Sequence, residues 1–231
     1  MTHVRGLVLS DLRTCGLYTR PTELRPSLVD RPVLWDMISD APMSTEHACA
    51  RFFVPYLAQR HSRFDDPNRF TRPTGWAMFC DGDVMFRRAL DPVFDALDPR
   101  FALYCVKHDY PTTTVSTKMD GQAQQSYPRK NWSSVMIFNC DHPLNEPVTH
   151  SLITANTLPG RDLHRFCWLE DKDIGALDTS LNHLVGVRPP RSDASIIHFT
   201  LGTPDMRGYA DCEYADSWRH ELASWAAAGG M

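Results

Sequence analysis

A continuous apolar run, Gly75-Trp76-Ala77-Met78-Phe79-Cys80, stops abruptly at Asp81-Gly82-Asp83. No other stretch constrains the fold as tightly. The run is short for a helix, and its aromatic content predicts a strand buried on both faces, as in a parallel sheet. Two carboxylates one residue apart at the end of such a strand are costly unless solvated, paired or bound to a cation. Ligands of open α/β sheets collect at that end of the strands. Paired Asp oxygens suit Mg2+ or Mn2+, which keep water or phosphate oxygens in their remaining positions. A cation there bridges a diphosphate and offsets the charge that develops as the leaving group departs. The competing reading is a plain Asp-Gly turn.

Apolar runs elsewhere extend the pattern. Phe101 to Val106 and Ser134 to Asn139 read as further buried strands, and Ile196 to Thr200 as a late one. Between them, Asp91 to Leu97 predicts a short helix. Leu144 to Asn156 predicts another, capped near Asn145 with Pro147 in its first turn. Ala215 to Ala228 closes the pattern as a C-terminal helix. Upstream, Ser44 is a suitable N-cap for a helix in which Phe52, Phe53, Tyr56 and Leu57 recur at helical spacing. His3 to Leu9 is β-leaning, Ser10 to Arg13 begins a helix or a turn, and residues 14–43 read as irregular. Residues 60–74, polar and broken by Pro67 and Pro73, read as an exposed loop or insertion. Alternating strands and helices without internal repeats predict a single α/β domain over 1–231. Segments 107–133 and 157–195 are too long for simple connections and are expected to carry function.

The chain's 231 residues suit one domain with a sizeable core. Its net charge of −4, with no basic block, argues against polyanionic nucleic acid as a partner. No apolar run reaches the roughly 18 residues of a membrane span. Nor does the start carry the apolar stretch of a signal peptide, so the expected compartment is the cytoplasm. The seven cysteines are scattered, never in a Cys-x-x-Cys pair, and several sit in apolar runs. Such cysteines behave as small buried hydrophobes rather than as a zinc or disulfide framework.

Several segments together resemble GT-A-fold nucleotide-sugar glycosyltransferases. Phe79 to Phe86 is similar to that family's Asp-x-Asp strand end. Lys130 to Asn139 looks like its Asn-containing turn into a strand, especially in the glycogenin-like group. Ser44 to Leu57 resembles the helix whose Arg faces the nucleotide sugar, and Ile196 to Gly202 the segment that supplies a His to the metal. Trp168 to Asp171, Ile174-Gly175 and Leu181-Asn182 resemble the family's acidic substrate loop, and Tyr127 to Ser134 is similar to bacterial relatives. The resemblance implies a GT-A-like, Rossmann-like sheet, mixed but mostly parallel and flanked by helices. It implies a metal held by Asp81, Asp83 and His198, with His198 suiting Mn2+ better than Mg2+. Arg51 would stabilise the diphosphate or hold the Asp pair. Asn131, Trp132 and Ser133 would meet sugar, and Lys118 lies where donor or acceptor would be gripped, with Asp120, Gln122, Gln125, Arg129 and Lys130. Asp171 would bind acceptor or act as the catalytic carboxylate, with Asp173 a weaker candidate. The implied partners are a nucleoside-diphosphate sugar and a glycan or other hydroxyl acceptor.

Against that pattern, Val4 to Leu9 resembles the family's second strand rather than its first, so a βα unit is expected to be missing at the N-terminal end. A relative that binds metal or nucleotide sugar without turnover is the alternative this raises. A haloacid-dehalogenase-type phosphohydrolase also places Asp-x-Asp after an apolar strand, using the first Asp as nucleophile. That family usually has Thr or Val where this chain has Met85.

Overall fold

A computed structural model describes residues 4–26, 32–58, 75–109, 116–118, 122–124, 129, 131–149 and 153–229. The described strands are β1 (Thr22–Arg25), β2 (Val33–Asp36), β3 (Ala41–Pro42), β4 (Trp76–Cys80), β5 (Val84–Phe86), β6 (Leu103–Cys105), β7 (Ser116–Lys118), β8 (Gln122–Gln124), β9 (Val135–Asn139), β10 (Ile174–Ala176), β11 (His183–Leu184) and β12 (Ile196–His198). The α-helices are α1 (Leu9–Thr14), α2 (Asp91–Asp95), α3 (Glu146–Thr149), α4 (Ile153–Thr157), α5 (Gly160–His164) and α6 (Ala215–Ala227). The fold is mixed α/β.

Its centre is a four-stranded sheet in the order β10-β6-β9-β4. Strand β9 is buried along its whole length. Met136 and Phe138 face a core built with Phe52, Phe53, Leu163 and Phe166, while Val135 faces a second cluster with Val106, Leu181 and Ile196. That is the period-two alternation of a strand covered on both sides. In the neighbouring β10, Gly175 stands opposite Tyr104 of β6, and a Cβ there would lie 2.3 Å from the tyrosine ring. Only glycine lets that ring cross the strand.

Strand direction departs from expectation. Only β10 with β6 and β11 with β12 are parallel among the described pairs; β9 runs antiparallel to both β6 and β4, and β5 to β12. The sheets are mixed rather than mostly parallel, because an unbroken apolar run records burial on two faces and says nothing of direction. The run at β4 is itself only half-buried apart from Ala77, since β4 pairs on one side alone among the described residues.

Further corrections cluster near the N-terminus. Val4 to Leu9 is not a strand: residues 4–8 are irregular and α1 starts at Leu9, burying Leu9 and Leu12 at helical spacing. Residues 14–43 contain an antiparallel meander, β1-β2-β3. Ser44 caps no helix; a turn over 46–49 leads to a 3-10 turn at Ala50–Phe53, and α-helical residues begin only at 54. Pro55 lacks the N–H that a helix started earlier would need there. Farther on, His142 rather than Asn145 caps the segment preceding α3, accepting from Leu144 N. Asn145 is buried instead, and its amide donates to the carbonyls of Ala102 and Asn139 at 2.5 and 2.8 Å. The expected loop at 60–74 lies outside the described residues. No helix of the described residues is long and apolar enough to cross a membrane. All seven cysteines are free, and burial pushes the Cys49 and Cys105 thiols up to about 11 and about 12.

Candidate metal centre

The end of β4, the turn that follows and β12 meet at one place. Asp81 is fixed through its backbone, whose N–H donates to Ser134 O at 2.9 Å. Asp83 is fixed by the neighbouring sheet: its carbonyl accepts from Phe199 N at 2.9 Å, just beyond β12. In the β5–β12 register His198 stands opposite Val84. Ligand atoms of Asp81, Asp83 and His198 therefore fall within 4.8 Å of one another, the two carboxylates half-buried and the imidazole buried. This group can hold a metal ion.

The donor set fits a divalent cation with room for oxygen ligands. His198 Nε2 lies 3.3 Å from Asp83 Oδ1. On its other side, His198 Nδ1 lies 3.0 Å from Asn182 Oδ1, and the Asn182 amide continues to Ser134 Oγ at 2.8 Å.

Arg51 closes the other flank. Its Nη2 meets Asp81 Oδ1 at 2.9 Å, Nη1 donates to Ser133 O at 2.8 Å, and Nε to Ala48 O at 2.9 Å. The guanidinium carbon also sits 4.9 Å from the centre of the Phe79 ring. Of the two roles expected for Arg51, this geometry fits holding the Asp pair. The sum of charge over Asp81, Asp83 and Arg51 remains negative, so the arginine does not remove the attraction for a cation.

The other expected site residues are not brought into this group. Ser133 is buried, and its hydroxyl lies 2.7 Å from His164 Nδ1 rather than facing a sugar. The left-handed backbone at Asn131 (φ 60°) starts a 3-10 turn over Trp132–Ser134, which carries Ser133 inward. Asn131 is half-buried, with its carbonyl accepting from Ser134 Oγ at 2.7 Å. Trp132 packs partly on the main core and donates from Nε1 to His108 O at 3.1 Å, with Lys107 and Arg129 beside its ring. Asp171 has an exposed carboxylate (78%) held by Arg129 Nη2 at 2.6 Å. Arg129 also donates to the carbonyls of Phe166 and Leu169 and to that of Arg165. Asp173 donates nothing to a site: its carboxylate accepts from Glu170 N in a capping box. Lys118 ends β7, and its side chain lies outside the described residues, as do Asp120, Gln125 and Lys130 and the side chain of Gln122.

Asn182 and Ser134 are not among the residues that the sequence singles out, although Leu181-Asn182 falls in a segment that resembles the substrate loop. In the sequence Asn182 is marked only by its place before the largely apolar stretch His183-Leu184-Val185, and its burial appears only in the fold.

No protein-family model matches the chain. Protein CDI of Arabidopsis thaliana is 36% identical to it over 227 residues, which make up 96% of this chain and 75% of that protein. With that much of both sequences in register, the chain belongs to the family of protein CDI.

Proposed function

We propose that this protein is a GT-A-fold glycosyltransferase that moves a sugar from a nucleoside diphosphate to a hydroxyl, with Mn2+ or Mg2+ at Asp81, Asp83 and His198. One observation carries the reading: an Asp-x-Asp turn at a strand end meets a histidine from a distant strand with all ligand atoms within 4.8 Å. A bound divalent cation would supply Lewis-acid stabilisation of the departing diphosphate. The remaining work falls to side chains. Arg51 holds Asp81 in place. Trp132 with Lys107 beside its ring offers an aromatic and cationic surface to donor or acceptor, and Asp171, held by Arg129 through Oδ1 alone and largely exposed, offers the acceptor a carboxylate oxygen. The anomeric carbon exchanges its bond to the diphosphate oxygen for one to the acceptor hydroxyl, releasing nucleoside diphosphate and a proton.

Purified protein incubated with Mn2+ and a panel of nucleotide sugars plus glycan acceptors is expected to release nucleoside diphosphate. Replacing Asp83 with Ala is expected to lower that release by roughly a hundredfold or more, as loss of a metal ligand or its supports does elsewhere. Undiminished transfer by Asp83→Ala refutes the metal mechanism. Hydrolysis of a simple phosphomonoester in place of transfer identifies a phosphohydrolase, and retained Mn2+ binding without any turnover identifies a binding protein.

A further inference from the structure

We infer that Asn182 and Ser134 are positioning residues that lock His198 in the tautomer whose free nitrogen faces the two aspartates. The Ser134 hydroxyl has a single proton, and its Oγ lies 2.7 Å from the carbonyl oxygen of Asn131, which can only accept. That proton therefore points at Asn131. The same Oγ also lies 2.8 Å from the side-chain amide of Asn182, and now it too can only accept. The Asn182 atom facing it must be the Nδ2 amino group. Heavy-atom positions alone do not distinguish the two ends of an amide, but this chain of single donors does.

The consequence reaches the metal centre. With Nδ2 turned toward Ser134, Asn182 Oδ1 faces His198 Nδ1 at 3.0 Å, and an acceptor there requires the proton on Nδ1. A neutral imidazole protonated on Nδ1 keeps its lone pair on Nε2. Nε2 is the nitrogen 3.3 Å from Asp83 Oδ1. Lone pair and carboxylate then face each other, an arrangement that a cation between them relieves. The reversed amide would place the proton on Nε2, aim it at Asp83, and close the position to a cation. Asn182, Ser134 and His198 are all buried, so bulk water does not readily replace the lost partner of any of them. The relay begins at the left-handed Asn131, whose turn brings its carbonyl onto Ser134.

The tautomer stands on these hydrogen bonds alone; its effect on cation affinity rests on the metal reading proposed above. Long-range 1H–15N correlation spectra of the metal-free protein, at a pH where the ring is neutral, read it directly. The His198 signal is identified by its loss in His198→Gln. Nδ1 is expected to be the protonated nitrogen, and Ser134→Ala and Asn182→Leu are expected to shift protonation toward Nε2. A wild-type ring protonated on Nε2 overturns the inference. Calorimetric titration with Mn2+ gives the second readout. Asn182→Leu is expected to weaken binding by about 10–100-fold, while Asn182→Asp, which keeps the acceptor, retains most of the affinity. Wild-type affinity in a folded Asn182→Leu overturns the positioning role. A wild-type protein protonated on Nδ1 that binds no Mn2+ upholds the relay and overturns the metal reading.

Discussion

Asp36→Ala is expected to be among the most destabilising single changes in this chain, and the reason lies in how Arg20 is held. Arg20 is completely buried, and the Asp36 side chain is 3% exposed. Arg20 Nε donates to Asp36 Oδ1 at 2.9 Å and Nη2 to Oδ2 at 2.5 Å, a two-pronged pair. Nη1 reaches the carbonyls of Ala155 and Leu158 at 3.0 and 2.8 Å, and Nη2 also reaches Ser39 Oγ at 3.2 Å. Ser39 in turn accepts from Gly160 N at 2.7 Å, so the cluster ties the β1-β2-β3 meander to the start of α5. Removing Asp36 leaves a buried guanidinium without its countercharge, which costs about 3–5 kcal/mol. For a domain of this size each kcal/mol lowers the melting temperature by roughly 2–4 °C, so the expected drop is about 6–20 °C. A double change, Arg20→Met with Asp36→Leu, removes both charges and is expected to recover part of the loss. Thermal melts at neutral pH decide it: a single variant melting within about 2 °C of wild type, or a double variant no better than the single, refutes the reasoning. The same pair predicts acid sensitivity. Burial alone would raise the Asp36 carboxyl, but hydrogen bonds from Arg20 and Ser39 outweigh it and hold it below the ordinary 3.8. Its contribution is therefore complete above that value and disappears as pH falls through the folded-state value.

His164 adds a second acid-labile term, because burial pushes its pKa down to about 3, with the Arg51 and Arg20 charges acting in the same direction. The unfolded chain takes up a proton below about 6.5 that the folded chain refuses, so urea stability is expected to fall from there downward, at up to about 1.4 kcal/mol per pH unit; His164→Phe should flatten that slope. Gly175→Ala would push a Cβ into the Tyr104 ring and is expected to cost about 1–3 kcal/mol, read as a lower melting temperature, with Tyr104→Ala restoring tolerance of the alanine. Arg51→Met strips donors from Ala48 O, Ser133 O and Asp81 together and is expected to cost about 1–3 kcal/mol. Arg51→Lys should recover little of it in the same melts, since an ammonium cannot reproduce the planar fork.

The strands that surround the candidate metal centre are legible because burial leaves a direct trace in sequence. The runs around β4, β6, β9 and β12 are contiguous and apolar, and carboxylates at the end of one demand a reason. That end of the run points to Asp81 and Asp83, His198 follows only from the resemblance to the glycosyltransferases, and the three meet in space. What stayed hidden was information that apolar runs do not encode. Thr22-Glu23-Leu24-Arg25 forms a strand whose two central residues are exposed, so it has neither a buried face nor an alternation to announce it. The direction of β9 depends on the path of the chain between β6 and β9, not on the residues of β9 itself. Ser133 turns inward because the backbone at Asn131 is left-handed, a conformation that Asn tolerates but does not signal by itself. Asp171 reads as one acidic residue among several, and only the position of Arg129 shows that its carboxylate is already engaged.

The candidate metal centre depends on register more than on any single residue. Along β12, Ile197 packs in one apolar cluster with Phe199, while Ile196 packs in another with Val135 and Leu181. Period-two alternation then puts His198 on the face of Ile196. Slipping the strand by one position would expose those isoleucines to the wrong faces and turn the histidine away from the aspartates. The apolar neighbours of His198 therefore set its direction, just as the hydrogen bonds from Asp81 N to Ser134 O and from Phe199 N to Asp83 O hold the two ends of the acidic turn against different sheets. The clamps fix where the two side chains leave the backbone, and Arg51 holds the Asp81 carboxylate itself at 2.9 Å. Two carboxylates that leave neighbouring points of a fixed backbone, with a single arginine to offset them, make a net negative site at which an entering cation gains most.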